Sequence, residues 1–313
     1  MLNLRTLTIS SVLCFAMATG APAFANPKVG EKPERVPFKL DRNRVIVPTS
    51  VNGSSPLNLI LDTGMRFDGV YLFHKELAAE IDTTGAIEVK VPGAGAGEPS
   101  TAIMIETGRL VFGDVTVDSQ RVLISSSPHT QNFPTDGVIG WNFFGHYTVE
   151  IDYDTRTIVL HETGSFQADT TWRRVPVVMK KDMPFLQCEL EVIPGDTVSA
   201  TMYIDLASGD ALELLVRDDQ KFSMPDDLEQ GYLGTGLSGD ITGHRGRSHR
   251  LCLEGYDLFD VATSFAPATV RSKQEGADGI LGGDAIRRFN IVFDYAHSRL
   301  FIRPNSHFRE PFE

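Results

Sequence analysis

The chain has 313 residues and carries 41 Asp and Glu against 29 Lys and Arg, a formal charge of −12. Hydrophobic content of 42% and charged content of 22% describe a soluble globular protein of about two ordinary domains and exclude a disordered chain. The acidic balance argues against nucleic acid or an anionic membrane as partner.

At the N-terminus, Arg5 precedes the largely apolar stretch Leu7 to Thr19, and Ala23-Phe24-Ala25 precedes Asn26. That order of basic residue, apolar run and small-x-small site predicts a secretory signal peptide over residues 1–25. The run is short for a membrane anchor. Losing Arg5 takes the mature charge from −12 to about −13. The expectation is an exported protein, periplasmic in a Gram-negative source and secreted otherwise, with no membrane span after cleavage. Cys14 is lost with the signal, and Leu13 stands where a lipoprotein site needs a small residue. Cys188 and Cys252 remain, readable either as a disulfide or as two buried thiols.

A charged lead-in, residues 26–36, opens the mature chain. Arg44–Val51 alternates like a strand, Asn52-Gly53 is a hairpin turn signal, and Leu57–Leu61 is an apolar partner strand that stops at Asp62-Thr63-Gly64. Phe73–Ile81 has helical spacing. Val89–Glu98 holds the glycine-rich tip Pro92–Gly97, and Ile103–Phe112 and Val115–Ile124 read as strands. Trp141–Tyr147 reads as a short helix and Thr148–His161 as a hairpin turning at Asp154-Thr155. Thr163–Thr170 is polar and marks a linker.

The order then repeats. Ser199–Ile204 leads into Asp205-Leu206-Ala207-Ser208-Gly209, Leu212–Asp219 takes the place of the first short helix, and Gly231–Gly246 is again glycine-rich. Gly283–Arg288 is a short helix and Asn290–Ile302 a closing hairpin. Three landmarks recur at nearly constant offset: Asp62 and Asp205 (205 − 62 = 143), Asp136 and Asp278 (278 − 136 = 142), and Asp152 and Asp294 (294 − 152 = 142). The chain is a duplicated, mostly-β domain. Its lobes are expected over residues 37–162 and 171–304, with a linker at 163–170 and a tail at 305–313.

These residues resemble the aspartic peptidases of the pepsin and retropepsin type. Ile60-Leu61-Asp62-Thr63-Gly64 matches their strand-ending motif, and Asp136-Gly137-Val138-Ile139-Gly140 and Asp278-Gly279-Ile280-Leu281-Gly282 match the apolar-apolar-Gly segment that threads beside it. The resemblance implies a bilobal fold of two β-barrel-like lobes with a catalytic cleft between them. It also implies an aspartic-type endopeptidase, with Asp62 and Asp205 activating a water on a peptide or protein substrate. Two like charges about 3 Å apart cannot both ionise, so such a pair shares a proton and titrates as a unit, which favours an acidic optimum. Gly93, Gly95 and Gly97 in the first copy and Gly234 and Gly236 in the second would belong to flaps over the cleft. No cofactor, metal or nucleic acid is implied, and the near-complete repeat within one chain fits a monomer better than a homodimer of first lobes.

The second copy departs from the motif at one place. Thr63-Gly64 corresponds to Leu206-Ala207, so the hydroxyl that the family sends across the dyad is missing there. Thr63, Gly64 and Ser208 are the residues expected to support the catalytic loops, Ser208 one position too far along to replace a threonine. The alternative function is therefore a non-catalytic peptide-binding protein with a degenerate second catalytic loop. Other signals are weaker. Gly234-Thr235-Gly236-Leu237-Ser238-Gly239 spells a nucleotide-binding string without the α/β context it needs, and neither His-Glu-x-x-His nor Gly-x-Ser-x-Gly occurs. Asp136 and Asp278 read as turn residues, and Asp152 and Asp294 as hairpin residues.

Overall fold

The computed structural model describes residues 33–65, 68–180, 183–271 and 276–312. The expected signal peptide lies outside the described residues, as does the lead-in up to residue 32. Strands account for 54% of the described residues and helices for 8%, which makes the class mostly β.

In the first half the strands are β1 (Glu34–Pro37), β2 (Lys39–Asp41), β3 (Arg44–Val51), β4 (Leu57–Leu61), β5 (Gly69–Leu72), β6 (Ile87–Val91), β7 (Ser100–Phe112), β8 (Val115–Ser125), β9 (Gly137–Ile139), β10 (Thr148–Asp152) and β11 (Thr157–His161). The second half carries β12 (Arg173–Lys180), β13 (Met183–Glu191), β14 (Thr197–Asp205), β15 (Leu212–Val216), β16 (Glu229–Gly236), β17 (Gly239–Leu253), β18 (Tyr256–Pro267), β19 (Gly279–Gly282), β20 (Phe289–Asp294) and β21 (Arg299–Pro304). Two single-turn helices, α1 (Trp141–Phe144) and α2 (Gly283–Ile286), follow β9 and β19.

Each half closes on itself. β3, β4, β9, β5, β8 and β7 form a six-strand ring in which β7 pairs back onto β3. β13, β14, β19, β15, β18 and β17 form the matching ring, closed by β17 on β13. Their inward faces are aliphatic, with Leu59, Leu61, Val70 and Leu72 in the first ring and Met202, Leu212, Leu214 and Leu281 in the second fully or almost fully buried. Closure removes most of the exposed edge that an open sheet would present. A ribbon in the order β1-β11-β10-β20-β21-β12 joins the rings. In it Glu150 pairs with Val292 and Ile151 with Ile291, so β10 lies antiparallel against its own repeat. Residue 150 thus faces residue 292, its equivalent at an offset of 142. A pseudo-twofold axis runs through this pair.

Several local expectations change. Leu212–Val216 is a strand, not a helix: it pairs with β18 and β19 just as β5 pairs with β8 and β9, and burial on both faces explains why its apolar residues do not alternate with exposed polar ones. Phe73–Ile81 holds only a short 3-10 turn at Lys75–Ala79. Gly231–Gly246 is a hairpin whose tip is Leu237-Ser238, with a bulge between Tyr232 and Gly234, so Gly231, Gly243 and Gly246 sit in strands. Val36, placed in the lead-in, belongs to β1, which pairs with β11. The tail is docked: the fully buried Arg288 donates to the carbonyls of His307, Glu310 and Pro311 and stacks 3.7 Å from the Phe312 ring centroid. Cys188 and Cys252 are free thiols, which decides against the disulfide, and burial pushes the Cys188 thiol up to about 12. Among the described residues no helix is long and apolar enough to cross a membrane.

Candidate active site

β4 runs parallel to β9 and delivers Asp62 one residue beyond its end; β14 runs parallel to β19 and ends on Asp205. Asp136 holds the first crossing by accepting the Asn58 N–H at 2.7 Å, and Asp278 holds the second by accepting the Thr201 N–H at 2.8 Å. Gly140 packs so closely on the Asp62 carbonyl, and Gly282 on the Asp210 carbonyl, that a Cβ at either place would overlap backbone. This is the physical reason that both threading segments end in glycine.

Asp62 and Asp205 both line one cleft of about 1070 Å³. Their loops turn alike: Gly64 N–H donates to Asp62 Oδ1 at 2.7 Å, and Ala207 N–H donates to Asp205 Oδ1 at 3.0 Å. Ala207 therefore supplies the same backbone donor as glycine. Ser208 adds its own N–H to Asp205 Oδ1 at 3.3 Å, and its carbonyl accepts from Gly283. It supports the loop through the backbone.

The loops are joined by Thr63, which is almost fully buried. Its hydroxyl donates to the Ile204 carbonyl at 2.6 Å and accepts the Leu206 N–H at 3.2 Å, gripping the backbone on both sides of Asp205. Leu206 has no hydroxyl to return the contact and is buried in the hydrophobic core instead.

Burial, and then the negative charge of Asp205, push the Asp62 carboxyl up to about 7, while the Gly64 N–H and the Arg271 charge pull the other way. Arg271 was not singled out from the sequence. Its Nε and Nη2 donate to the two carboxylate oxygens of Glu213 at 2.8 and 3.2 Å, and its Nη1 stands 3.5 Å from Asp205 Oδ2. Glu213 is the one charge inside the apolar run Leu212–Val216, the same signal that marked Asp62. Asp210 also lines the cleft; burial raises its carboxyl, and the Ser264 hydroxyl donates to it at 2.9 Å. On the other side Arg44 lines the cleft with its pKa lowered by burial and by Arg42.

The two glycine-rich tips meet over the cleft. Gly97 N–H donates to the Ser238 carbonyl at 2.6 Å, Ser238 N–H to the Ala94 carbonyl at 2.8 Å, and the Ser238 hydroxyl accepts from Gly93 N–H at 3.1 Å. Ser100 Oγ donates to the Leu237 carbonyl at 3.0 Å. Leu237 packs onto the first lobe's cluster around Ile60, Tyr71 and Phe73, while Ala94 packs onto the second lobe's cluster around Leu233 and Val270. A Cβ on Gly93 would lie 2.5 Å from Leu237, one on Gly95 2.5 Å from Ser238, and one on Gly97 2.7 Å from the Ser238 carbonyl; Gly236 is equally tight against Ala94. Gly95, Gly97 and Gly236 let one backbone lie directly on another, and Gly93 leaves room for the Leu237 side chain. Gly234 has open space around it and plays no part in the contact.

Residues 47–143, which hold Asp62 and its threading segment, match the family model described as aspartyl protease. The solved aspartic proteinase from Irpex lacteus superposes with a TM-score of 0.54 at 13% identity, covering 89% of this chain and 99% of that one. The family match covers the first lobe, and the structural likeness, at that identity, speaks for the bilobal aspartic peptidase fold of the whole. A search of curated proteins finds no match.

Proposed function

We propose that the protein is an aspartic-type endopeptidase that hydrolyses peptide bonds with a water held between Asp62 and Asp205. The observation that carries this reading is the Thr63 grip, which ties the strand end bearing one carboxylate to both backbone neighbours of the other. A carboxyl pushed up to about 7 beside a second carboxylate is the arrangement general acid and base chemistry needs, one group holding a proton and one able to take one.

In such a reaction the charged carboxylate takes a proton from water as the water oxygen bonds to the scissile carbonyl carbon. The protonated carboxyl gives its proton to the carbonyl oxygen. The resulting gem-diol collapses when the first carboxyl protonates the amide nitrogen and the second takes back a hydroxyl proton. The C–N bond breaks, acid and amine leave, and the pair regains its starting state. Joined tips suit exclusion of water during these steps and require that the tips part for substrate.

Leu206 favours a second reading, a cleft that binds peptides without cutting them, because the grip is returned from one side only. Incubating wild type, Asp62→Asn and Asp205→Asn with a diverse peptide library from pH 4 to 8 separates the two. Cleavage by wild type and silence of both variants is the expected result. Binding without cleavage at every pH would establish the second reading.

A further inference from the structure

The charged surroundings of the two carboxylates are unequal, although the fold that holds them is duplicated. Asp205 receives three donors: the N–H groups of Ala207 and Ser208 on Oδ1, and the Arg271 guanidinium facing Oδ2 at 3.5 Å. Among the described residues the Asp62 carboxylate has two backbone donors, the N–H groups of Gly64 and Met65, and the Arg271 charge reaches it without a hydrogen bond. The inequality comes from side chains at equivalent positions. Glu213 pairs in register with Ile280, and Tyr71 with Val138, so position 213 repeats position 71 (280 − 138 = 142). Arg271 repeats His129 at the same offset: His129 lies within the 3-10 turn Pro128–Thr130 that follows β8, and Arg271 ends the turn Ala268–Arg271 that follows β18. The first lobe thus has a buried tyrosine and an exposed histidine where the second has a buried Glu–Arg pair.

Glu213 is almost fully buried and Arg271 nearly so, and the two-pronged contact fixes the guanidinium plane. A buried ion pair of this kind adds little to stability relative to apolar residues of the same shape, which turns attention to what the pair does for its neighbour. We infer that Arg271, oriented by Glu213, is a positioning residue that keeps Asp205 as the charged member of the pair and leaves the shared proton on Asp62. This deepens the peptidase reading and rests on it: Asp205 becomes the base toward water and Asp62 the acid toward the carbonyl.

The remaining ionisable groups around these four are consistent with a fixed division of roles. Tyr203 is buried against Arg271, Glu213 and Asp205 and Tyr295 against Asp62, and the pKa of each is raised, so both stay neutral phenols. Asp210 feels Arg245, Glu213 and Arg271 and has its pKa raised by burial, while Arg44 faces Asp205 and Asp210. Burial opposes the charge of Arg271, but Tyr203, Glu213 and Asp205 hold its pKa well above the usual value, so it is positive throughout the working range. Asp62, its carboxyl pushed up to about 7, can then hold the shared proton toward neutral pH.

The test is a carboxyl-carbon NMR titration of the full mature chain labelled at aspartate, run beside pH profiles of peptide cleavage. In wild type Asp205 should be charged from the acidic end and Asp62 should titrate alone. The double variant Arg271→Met with Glu213→Leu removes the pair without orphaning a buried charge. It should raise the Asp205 titration by one pH unit or more and lift the acid limb of the cleavage profile with it. Arg271→Lys should keep most of the wild-type pattern, and Glu213→Gln should move the Asp62 titration downward, opposite to the double variant. Titrations within about 0.3 unit of wild type in both the double variant and Glu213→Gln would overturn the inference, even if wild type cleaves peptides. Shifted titrations in a protein that cleaves nothing would uphold the charge assignment and sink the peptidase reading instead.

Discussion

Thr63 and Leu206 are equivalent residues of the two repeats, and they meet: the Thr63 hydroxyl accepts the Leu206 N–H at 3.2 Å across the pseudo-twofold axis. In a symmetric site the contact would be returned by a second hydroxyl. Here one threonine holds both loops, and the leucine contributes apolar packing in its place.

Thr63→Val removes a buried hydroxyl and leaves the Ile204 carbonyl and Leu206 N–H without partners. Unpaired buried groups cost about 1–3 kcal/mol each, so unfolding by urea should show a loss of about 2–4 kcal/mol. Cleavage should fall at least 100-fold, because the carboxylates lose the tie that sets their separation. Leu206→Thr is the converse. It should raise turnover several-fold with little gain in stability, since the new hydrogen bonds offset lost apolar burial of about 1–2 kcal/mol. A Leu206→Thr enzyme no faster than wild type would show that one-sided support suffices.

Asp62→Asn should silence cleavage and at the same time stabilise the fold, with a pH dependence that follows from the raised carboxyl. The Asp62 pKa is about 7 in the folded chain against 3.8 for an ordinary aspartate, so the folded state binds the extra proton between those values. The wild-type contribution is then full below about pH 4 and lost as pH rises through 7. Asparagine, always neutral, escapes that loss. The variant should match wild type near pH 4 and exceed it by about 1–3 kcal/mol at pH 8, read from denaturant midpoints at each pH. A constant difference across the range would place the raised carboxyl elsewhere.

The strand-ending aspartates, the threading glycines and the duplication were legible because each is a local signal: a carboxylate closing an apolar strand, a glycine beside it, a constant offset. Leu212–Val216 misled because a strand buried on both faces loses the alternation that separates it from a helix. Arg271 was invisible for another reason. It stands 66 residues from Asp205 in sequence, and only the crossing of β15, β18 and β19 brings it to the carboxylate. The tip glycines were legible only as members of flaps, whereas Gly93, Gly95, Gly97 and Gly236 are needed for the close approach of one tip to the other, a contact between segments about 140 residues apart.

That distinction predicts a contrast between two glycines of the same region. Gly95 has φ +126° and its Cβ position is occupied by Ser238, while Gly234 has ordinary dihedrals and free space. Gly95→Ala should part the tips. Hydrogen exchange should rise at least tenfold at the amides of Gly97 and Ser238, and Gly234→Ala should leave both unchanged. If open tips admit substrate more easily, KM for long peptides should fall in Gly95→Ala and turnover should drop as water enters. Equal behaviour of the two variants would mean the tips do not hold each other.

The threading turns offer a last asymmetry between equivalent residues. Asp136 braces its strand with one backbone contact in a half-exposed setting, whereas Asp278 is buried and also takes Arg217 Nη2 at 2.7 Å and Lys221 Nζ at 2.6 Å. Removing Asp278 leaves the Thr201 N–H without its acceptor and frees Arg217 and Lys221, whose side chains are partly exposed to water, which costs about 2–3 kcal/mol; removing the partly exposed Asp136 costs nearer 1 kcal/mol. Asp278→Ala should therefore lower the melting temperature at least twice as much as Asp136→Ala. Because Asp278 aligns β19 beside the strand that ends on Asp205, its loss should also reduce turnover more than KM, measured at a temperature where the variant is still folded. Equal destabilisation by the two variants would mean that the Arg217 and Lys221 contacts contribute nothing net, and that the backbone N–H is the whole of the brace in both lobes.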